Sequence, residues 1–318
     1  IIFHKRTPLI EEVAKVNSLP KRGAKLASDE GKMHFFRKLG HKVSYTFKEA
    51  LERATVVIDC TPAGNEHKYK HYQHHGDKLY IAQGSEKDFG VPYAYGINDT
   101  IFKENPNFIQ VVSCNTHNIA AILHSIDPTL NRIEKADFVC IRRANDISQE
   151  GNFIASPQVG GHKHTNFGTH HAKDAYDLFK TKNKHINIFS SALKINSQYM
   201  HLIRFDVIVY QFLSGDMLID KFKENKFVAV SHKTLANKIF SFGRDHGYYG
   251  RIFNQTVISM PSLLAAQRGG KTQVTGFCFT PQDGNSLLSS IAACLWGIYK
   301  EDYLKYMKIF DEFLFNEI

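Results

Sequence analysis

The sequence has no GxGxxG anywhere, no CxxC, no low-complexity tract and no apolar run near the ~20 residues that span a bilayer. Each absence closes a class. Five widely spaced cysteines, Cys60, Cys114, Cys140, Cys278 and Cys294, give neither a disulfide framework nor a zinc site. Their odd number fits a reducing compartment and leaves room for one reactive thiol. The longest apolar stretch, residues 287–299, is broken by serines and a glycine. Ile1-Ile2-Phe3 runs straight into charged residues, so no signal peptide is read and the expected location is cytoplasmic, with no membrane partner. There are seventeen histidines, of which His71, His74 and His75 cluster. No carboxylate or cysteine stands at ligand spacing from them, so they read as a solvated helix face, and no metal is expected.

What is present is ordinary for a globular enzyme: 318 residues, 43% hydrophobic and 22% charged. That length suggests about two domains of roughly 100–200 residues each. The net charge is +9. The lysines are scattered rather than gathered in a stripe, which points to phosphorylated small molecules in preference to nucleic acid.

Strand-like and helix-like segments alternate in the first half. Thr55-Val56-Val57-Ile58-Asp59-Cys60 is a β-branched run ended by a Thr61-Pro62-Ala63-Gly64 turn. Thr46-x-x-Glu49 forms a capping box that opens a helix through Arg53. Residues 78–82 and 108–112 read as further strands, and 118–126 has helical apolar spacing. This rhythm predicts a parallel sheet with crossover helices. Residues 137–143, 186–194 and 202–210 look like longer strands of an antiparallel sheet, residues 151–168 like loop, and 286–299 and 302–315 like helices. No internal repeat is present.

Cys114 follows a buried-looking strand and precedes a helix, in Val111-Val112-Ser113-Cys114-Asn115-Thr116. A thiol at a helix start meets the positive end of the dipole and unpaired backbone N–H groups, both of which favour thiolate. The same N–H groups can hold an oxyanion. A buried structural cysteine at a strand end remains the alternative reading.

The Ser113-Cys114-Asn115-Thr116 run resembles the active-site motif of glyceraldehyde-3-phosphate dehydrogenases, with His117 where that family has a second Thr. Further strings follow in the order of the archaeal form. Asp59-Cys60-Thr61-Pro62-Ala63-Gly64 resembles Asp-Ala-Thr-Pro-Gly-Gly, and Gln83-Gly84-Ser85-Glu86-Lys87 resembles Gln-Gly-Gly-Glu-Lys. Ile141-Arg142-Arg143-Ala144-Asn145-Asp146, Thr169-His170-His171, Met200-His201 and Gln282-Asp283 continue the series. The resemblance covers nearly the whole chain.

What the resemblance implies is an α/β fold. It would comprise a Rossmann-type nucleotide-binding domain over residues 1–113, completed by helices at 283–318, and an α+β substrate domain with a mostly antiparallel sheet over 114–282. The first strand and glycine-rich turn of the family pattern are missing, since residues 1–8 resemble the second strand and the basic residues after it. The implied reaction is NAD(P)-dependent oxidation of glyceraldehyde 3-phosphate through a Cys114 thioester, with inorganic phosphate as second substrate. By the same resemblance His201 is the base, and Ser113, Asn115, Thr116, His170, His171 and Arg143 contact substrate. Lys5, Arg6, Thr61, Pro62, Gly84, Arg142 and Gln282 contact the cofactor. Basic residues at Lys5 and Arg6 favour NADP over NAD. A homotetramer is also implied. The family's second histidine, two residues after His201, is replaced by Ile203. That departure keeps open an impaired relative acting as a binding protein. A semialdehyde dehydrogenase is the other alternative.

Overall fold

The computed structural model describes residues 1–74, 76, 78–84, 86–145, 151 and 153–318. His75 of the histidine cluster, Ser85 and Asp146 of the quoted strings, and Asn152 of the expected loop lie outside the described residues. The chain forms two compact units: Ile1–Val57 with Asp77–Leu79, and Ile58–Gly76 with Tyr80–Ile318. The boundary anticipated at residues 113/114 falls inside the second.

In the first unit β1 (Ile2–His4), β2 (Lys25–Ser28) and β3 (Val43–Thr46) make a parallel sheet in that order. The crossovers carry α1 (Val13–Ser18) and α2 (Met33–Lys38), and α3 (Phe47–Arg53) follows β3. Val16, Leu26 and Phe36 form a small core against Phe3 and Val43. The capping box is made in full: Glu49 N–H donates to Thr46 Oγ1 at 3.2 Å and Thr46 N–H to Glu49 Oε2 at 2.8 Å. Lys5 Nζ is ion-paired with the Glu12 carboxylate, while Arg6 is exposed.

Two further sheets follow along the chain. One runs β4-β5-β7-β6, from β4 (Val56–Asp59), β5 (Leu79–Gln83), β6 (Val91–Tyr93) and β7 (Phe108–Val111), with β5 and β6 each parallel to β7. After β4 come the Thr61-Pro62 turn and α4 (Gly64–Lys70). At the carboxyl end of β4, Asp59 accepts bonds from Thr61, His67 Nδ1 (2.8 Å) and Tyr72 Oη (2.7 Å). Burial opposes its ionisation, yet these bonds outweigh that and hold the carboxyl below its ordinary range.

The larger sheet is eight-stranded, from β8 (Ile133–Arg142), β9 (Gln158–Val159), β10 (Ile188–Lys194), β11 (His201–Val209), β12 (Val228–Ser231), β13 (Thr256–Ser259), β14 (Leu264–Arg268) and β15 (Lys271–Thr280). Its order is β12-β13-β15-β11-β8-β10-β9, with β14 on β15. Among the described residues it is parallel at β12/β13 and β8/β10 and antiparallel elsewhere, so the sheet is mixed rather than purely antiparallel. Along β11 every second residue is buried: His201, Ile203, Phe205, Val207 and Val209. That period of two turns one face toward a helical layer. The layer contains α5 (Cys114–Ile126), α6 (His170–Lys180) and α7 (Gly215–Glu224), whereas Ile239 of α8 (Ala236–His246) packs with Ala229, Val257 and Phe279 on the other face of the sheet. α5 is buried at nearly every position and lies against β13, β15, α6 and α7. The chain closes with α9 (Asn285–Tyr299) and α10 (Tyr303–Met307), then 3-10 turns through Phe313, where one continuous helix was expected. Trp296 of α9 is 2% exposed and stacks on Phe102 with ring centroids 4.5 Å apart. No helix among the described residues is long and apolar enough to cross a membrane.

Gly168 enters α6 with φ +71°, and a Cβ there would overlap the Ser190 carbonyl oxygen. Gly168→Ala is therefore expected to cost about 1–3 kcal/mol in urea melts. Unchanged stability would show that this turn readily takes another conformation.

Candidate active site

The thiol is placed by the end of a strand. Phe108–Val111 ends with Val112 N–H bonded to Tyr93 O, and Ser113 turns out of it in an extended conformation. Ser113 then caps α5: its Oγ accepts from Thr116 N–H at 3.4 Å and lies 2.9 Å from Thr116 Oγ1. Cys114 is thus the first helical residue, four earlier than apolar spacing suggested, and it is half-buried. Its neighbours are spent inward. Thr116 is fully buried, and Asn115, 2% exposed, has its Oδ1 3.4 Å from Thr280 Oγ1.

Burial pushes the Cys278 thiol up to about 12 and the Cys140 thiol higher still. Desolvation raises Cys294, and it raises Cys60 with the Asp59 carboxylate adding to the effect.

Register decides which residue of β11 stands level with Cys114. His201 pairs with Thr280 and Ile203 with Cys278. Cross-strand partners share a face. Thr280 Oγ1 touches Asn115 in the first turn of α5 and accepts from Asn118 Nδ2 at 2.7 Å, whereas Cys278 Sγ reaches Asn118 Oδ1 at 3.3 Å, deeper along the helix. His201 therefore sits at the helix start, and Ile203, fully buried, belongs to the main apolar core. His201 Nδ1 accepts the Arg143 backbone N–H at 2.9 Å, so the neutral ring carries its proton on Nε2, which lies 3.0 Å from Gln282 Nε2. Gln282 Oε1 also accepts the His201 backbone N–H at 3.0 Å.

The same end of the sheet gathers the second histidine pair. Ser190 Oγ accepts Ala172 N–H at 3.0 Å and lies 2.6 Å from Thr169 Oγ1, tying the start of α6 to β10. The His170 and His171 rings pack at a tilt of 46° with centroids 3.9 Å apart. His171 is 3% exposed, and among the described residues neither ring nitrogen has a hydrogen-bond partner. Burial, then the charges of His170, Arg142, His201 and Lys87, hold it well below the ordinary histidine range, so it is neutral at pH 7. Lys87 is anchored 3.0 Å from Asp174. A buried imidazole with two unmet nitrogens, ringed by cations, is suited to a polar or anionic ligand.

The two arginines part company. Arg142 joins the histidines, whereas Arg143 lines a cavity of about 200 Å³ with Tyr199, Phe240, Arg251 and Gln282. Thr61, Pro62 and Gly84 stand at the carboxyl ends of β4 and β5, as Ser113 and Cys114 do beyond β7. In parallel sheets ligands bind at those ends. Gly84 has φ +72° and open space on its Cβ side, room for a flat group to approach the backbone. These residues fit the nicotinamide-bearing end of a dinucleotide. Lys87 and the buried polar set Asn118, Asn285 and Ser289 were not read from the sequence as part of the site. Their signal was polar residues inside otherwise apolar helices.

The fold and site define an α/β protein with a cysteine at a strand-to-helix junction and a cluster of histidines in its larger sheet domain. No protein-family model matches the chain. Among curated proteins it is similar to the glyceraldehyde-3-phosphate dehydrogenase of Sulfolobus acidocaldarius, 28% identical over 258 residues, covering 76% of this chain and 71% of that one. It is also similar to proteins of that name from Methanosarcina mazei, 32% identical over 176 residues (52% of this chain, 48% of the relative), and Methanobacterium bryantii, 31% over 204 residues (59% and 54%). The chain spans about half the length of the latter two.

Proposed function

We propose that the protein is a nicotinamide-dependent aldehyde dehydrogenase acting on glyceraldehyde 3-phosphate, as the names of its archaeal relatives suggest. The observation that carries the reading is Cys114 at the first position of α5, whose next residue, Asn115, touches Thr280, the strand partner of His201. Cys114 Sγ, as thiolate, attacks the aldehyde carbon, and the carbonyl oxygen takes up a proton to give a hemithioacetal. His201 is the proposed acceptor of that proton, which it would take at Nδ1 once the Arg143 N–H has moved off it. A nicotinamide held by Thr61, Pro62 and Gly84 would supply the hydride acceptor. Inorganic phosphate then takes the acyl group from sulfur and frees the thiolate.

His171, with Arg142 and His170 beside it, binds the substrate's polar end. Ser113, Asn115 and Thr116 act chiefly by shaping the helix start, and Arg143 by presenting its N–H to His201. Thr61, Pro62 and Gly84 contact the cofactor. Arg6 and Lys5 would favour NADP, with Lys5 shared between a 2′-phosphate and Glu12. Cytoplasmic action as a homotetramer completes the reading.

Brief treatment with iodoacetamide at neutral pH, followed by peptide mapping, tests it. Cys114 is expected to label at least tenfold faster than the other four cysteines, and glyceraldehyde 3-phosphate should protect it. Equal labelling of Cys114 and Cys294 would remove the nucleophile.

A further inference from the structure

A buried chain of hydrogen bonds joins the thiol-bearing helix to α9. His117 is fully buried one turn into α5. Its Nδ1 lies 3.0 Å from Ser113 O, and its Nε2 lies 2.7 Å from Ser289 Oγ. A carbonyl oxygen can only accept, so Nδ1 carries the proton and Nε2 is the acceptor. Ser289 must then donate to Nε2, and its oxygen is left to accept the Tyr95 backbone N–H at 3.0 Å. Backbone groups at the two ends thus fix the direction of every bond. One helical turn earlier on α9, Asn285 Nδ2 donates to Cys114 O at 3.0 Å. The carbonyls of both Ser113 and Cys114, on either side of the thiol, are therefore gripped by side chains as well as by the helix.

We propose that His117 and Ser289 are positioning residues for the Cys114 thiol. They orient the first turn of α5, and with it the N–H groups that stabilise the thiolate. This rests on the reading of Cys114 as the nucleophile. Burial holds the His117 ring down to about 4, so it is neutral wherever the protein works. A protonated ring would donate from Nε2 and force the Ser289 hydroxyl proton to turn away, ending its donor role. A histidine that merely filled the core would affect stability and leave the ionisation of a thiol three residues away untouched.

The test is the pH profile of Cys114 alkylation by iodoacetamide in the wild type, Ser289→Ala and Ser289→Thr. Ser289→Ala is expected to move the midpoint upward by about one pH unit and to slow labelling at pH 7 roughly tenfold. Ser289→Thr, which keeps the hydroxyl, is expected to restore the wild-type profile. Protection of Cys140 and Cys278, read in the same digests, reports an intact core. If Ser289→Ala exposes them, His117→Leu is read in its place by the same criterion. A variant with an intact core whose profile superimposes on the wild type overturns the proposal. So does a Thr variant that fails to restore the profile, or the opening of the core by every such variant. A wild-type Cys114 no faster than Cys294 would instead overturn the nucleophile reading on which this one rests.

Discussion

Cys114→Ser is expected to lower the rate of glyceraldehyde 3-phosphate oxidation by a factor on the order of 10⁴ or more while leaving the fold intact. The hydroxyl of serine is far less acidic than a thiol, and a helix start contributes only about 0.3–2 kcal/mol to an anion beside it. That is too little to ionise serine near pH 7, so the adding species disappears. Removing the nucleophile from a group of residues that act together also forfeits most of what its partners contribute. The residue is half-buried and exchanges sulfur for a smaller oxygen, so urea melts should change little. Initial rates with NADP and with NAD, against wild type in the same buffer, decide the matter. A serine variant within tenfold of wild type would exclude covalent catalysis at this position. His201→Asn should lose less, about 10²-fold, as for removal of a positioned proton acceptor.

Ile203→His carries the second large effect, and it falls on stability. On sequence alone, restoring a histidine two residues beyond His201 promises to restore a lost base. The register shows otherwise. Position 203 pairs with Cys278, is 0% exposed and is packed in the main core. An imidazole there would be desolvated with few partners, at a cost of about 2–4 kcal/mol. Its folded-state pKa would lie below the unfolded value near 6.5. As pH falls below that value the unfolded chain takes up the proton first, so the destabilisation deepens toward acid. Urea melts at pH 7.5 and 5.5 should show a larger deficit at the lower pH. Raised turnover with wild-type stability would show that the side chain at 203 reaches the substrate and that the level of His201 has been misjudged.

These two residues mark where the sequence is informative and where it stops. The β-branched run at residues 55–60 and the Thr46–Glu49 box record local preferences, and both appear as β4 and the cap of α3. Cys114 was read at a helix start, but apolar spacing began the helix only at residue 118, because the first turn is polar in composition although Asn115, Thr116 and His117 are buried. Its polar groups are met by Thr280, Ser289 and Asn285, more than 160 positions along the chain. No window of local sequence holds such pairs. Spacing correctly put His201 and residue 203 on one face. It could not say which of them meets the helix start, because that depends on the partner strand β15. The parting of Arg142 and Arg143 is of the same kind: adjacent residues at a strand end point to different surroundings, and only the assembled sheet shows which surroundings they are.

The single tryptophan gives the molecule a built-in optical reporter. Trp296 lies on the helix that carries Asn285 and Ser289, pressed against Phe102 and covered by the Lys300 ammonium at 4.2 Å. An indole so enclosed emits at short wavelength, and its fluorescence follows the seating of that one helix without any label. Ligand or variant effects that loosen the support behind Cys114 can thus be watched from the far side of the support, in native protein and in real time.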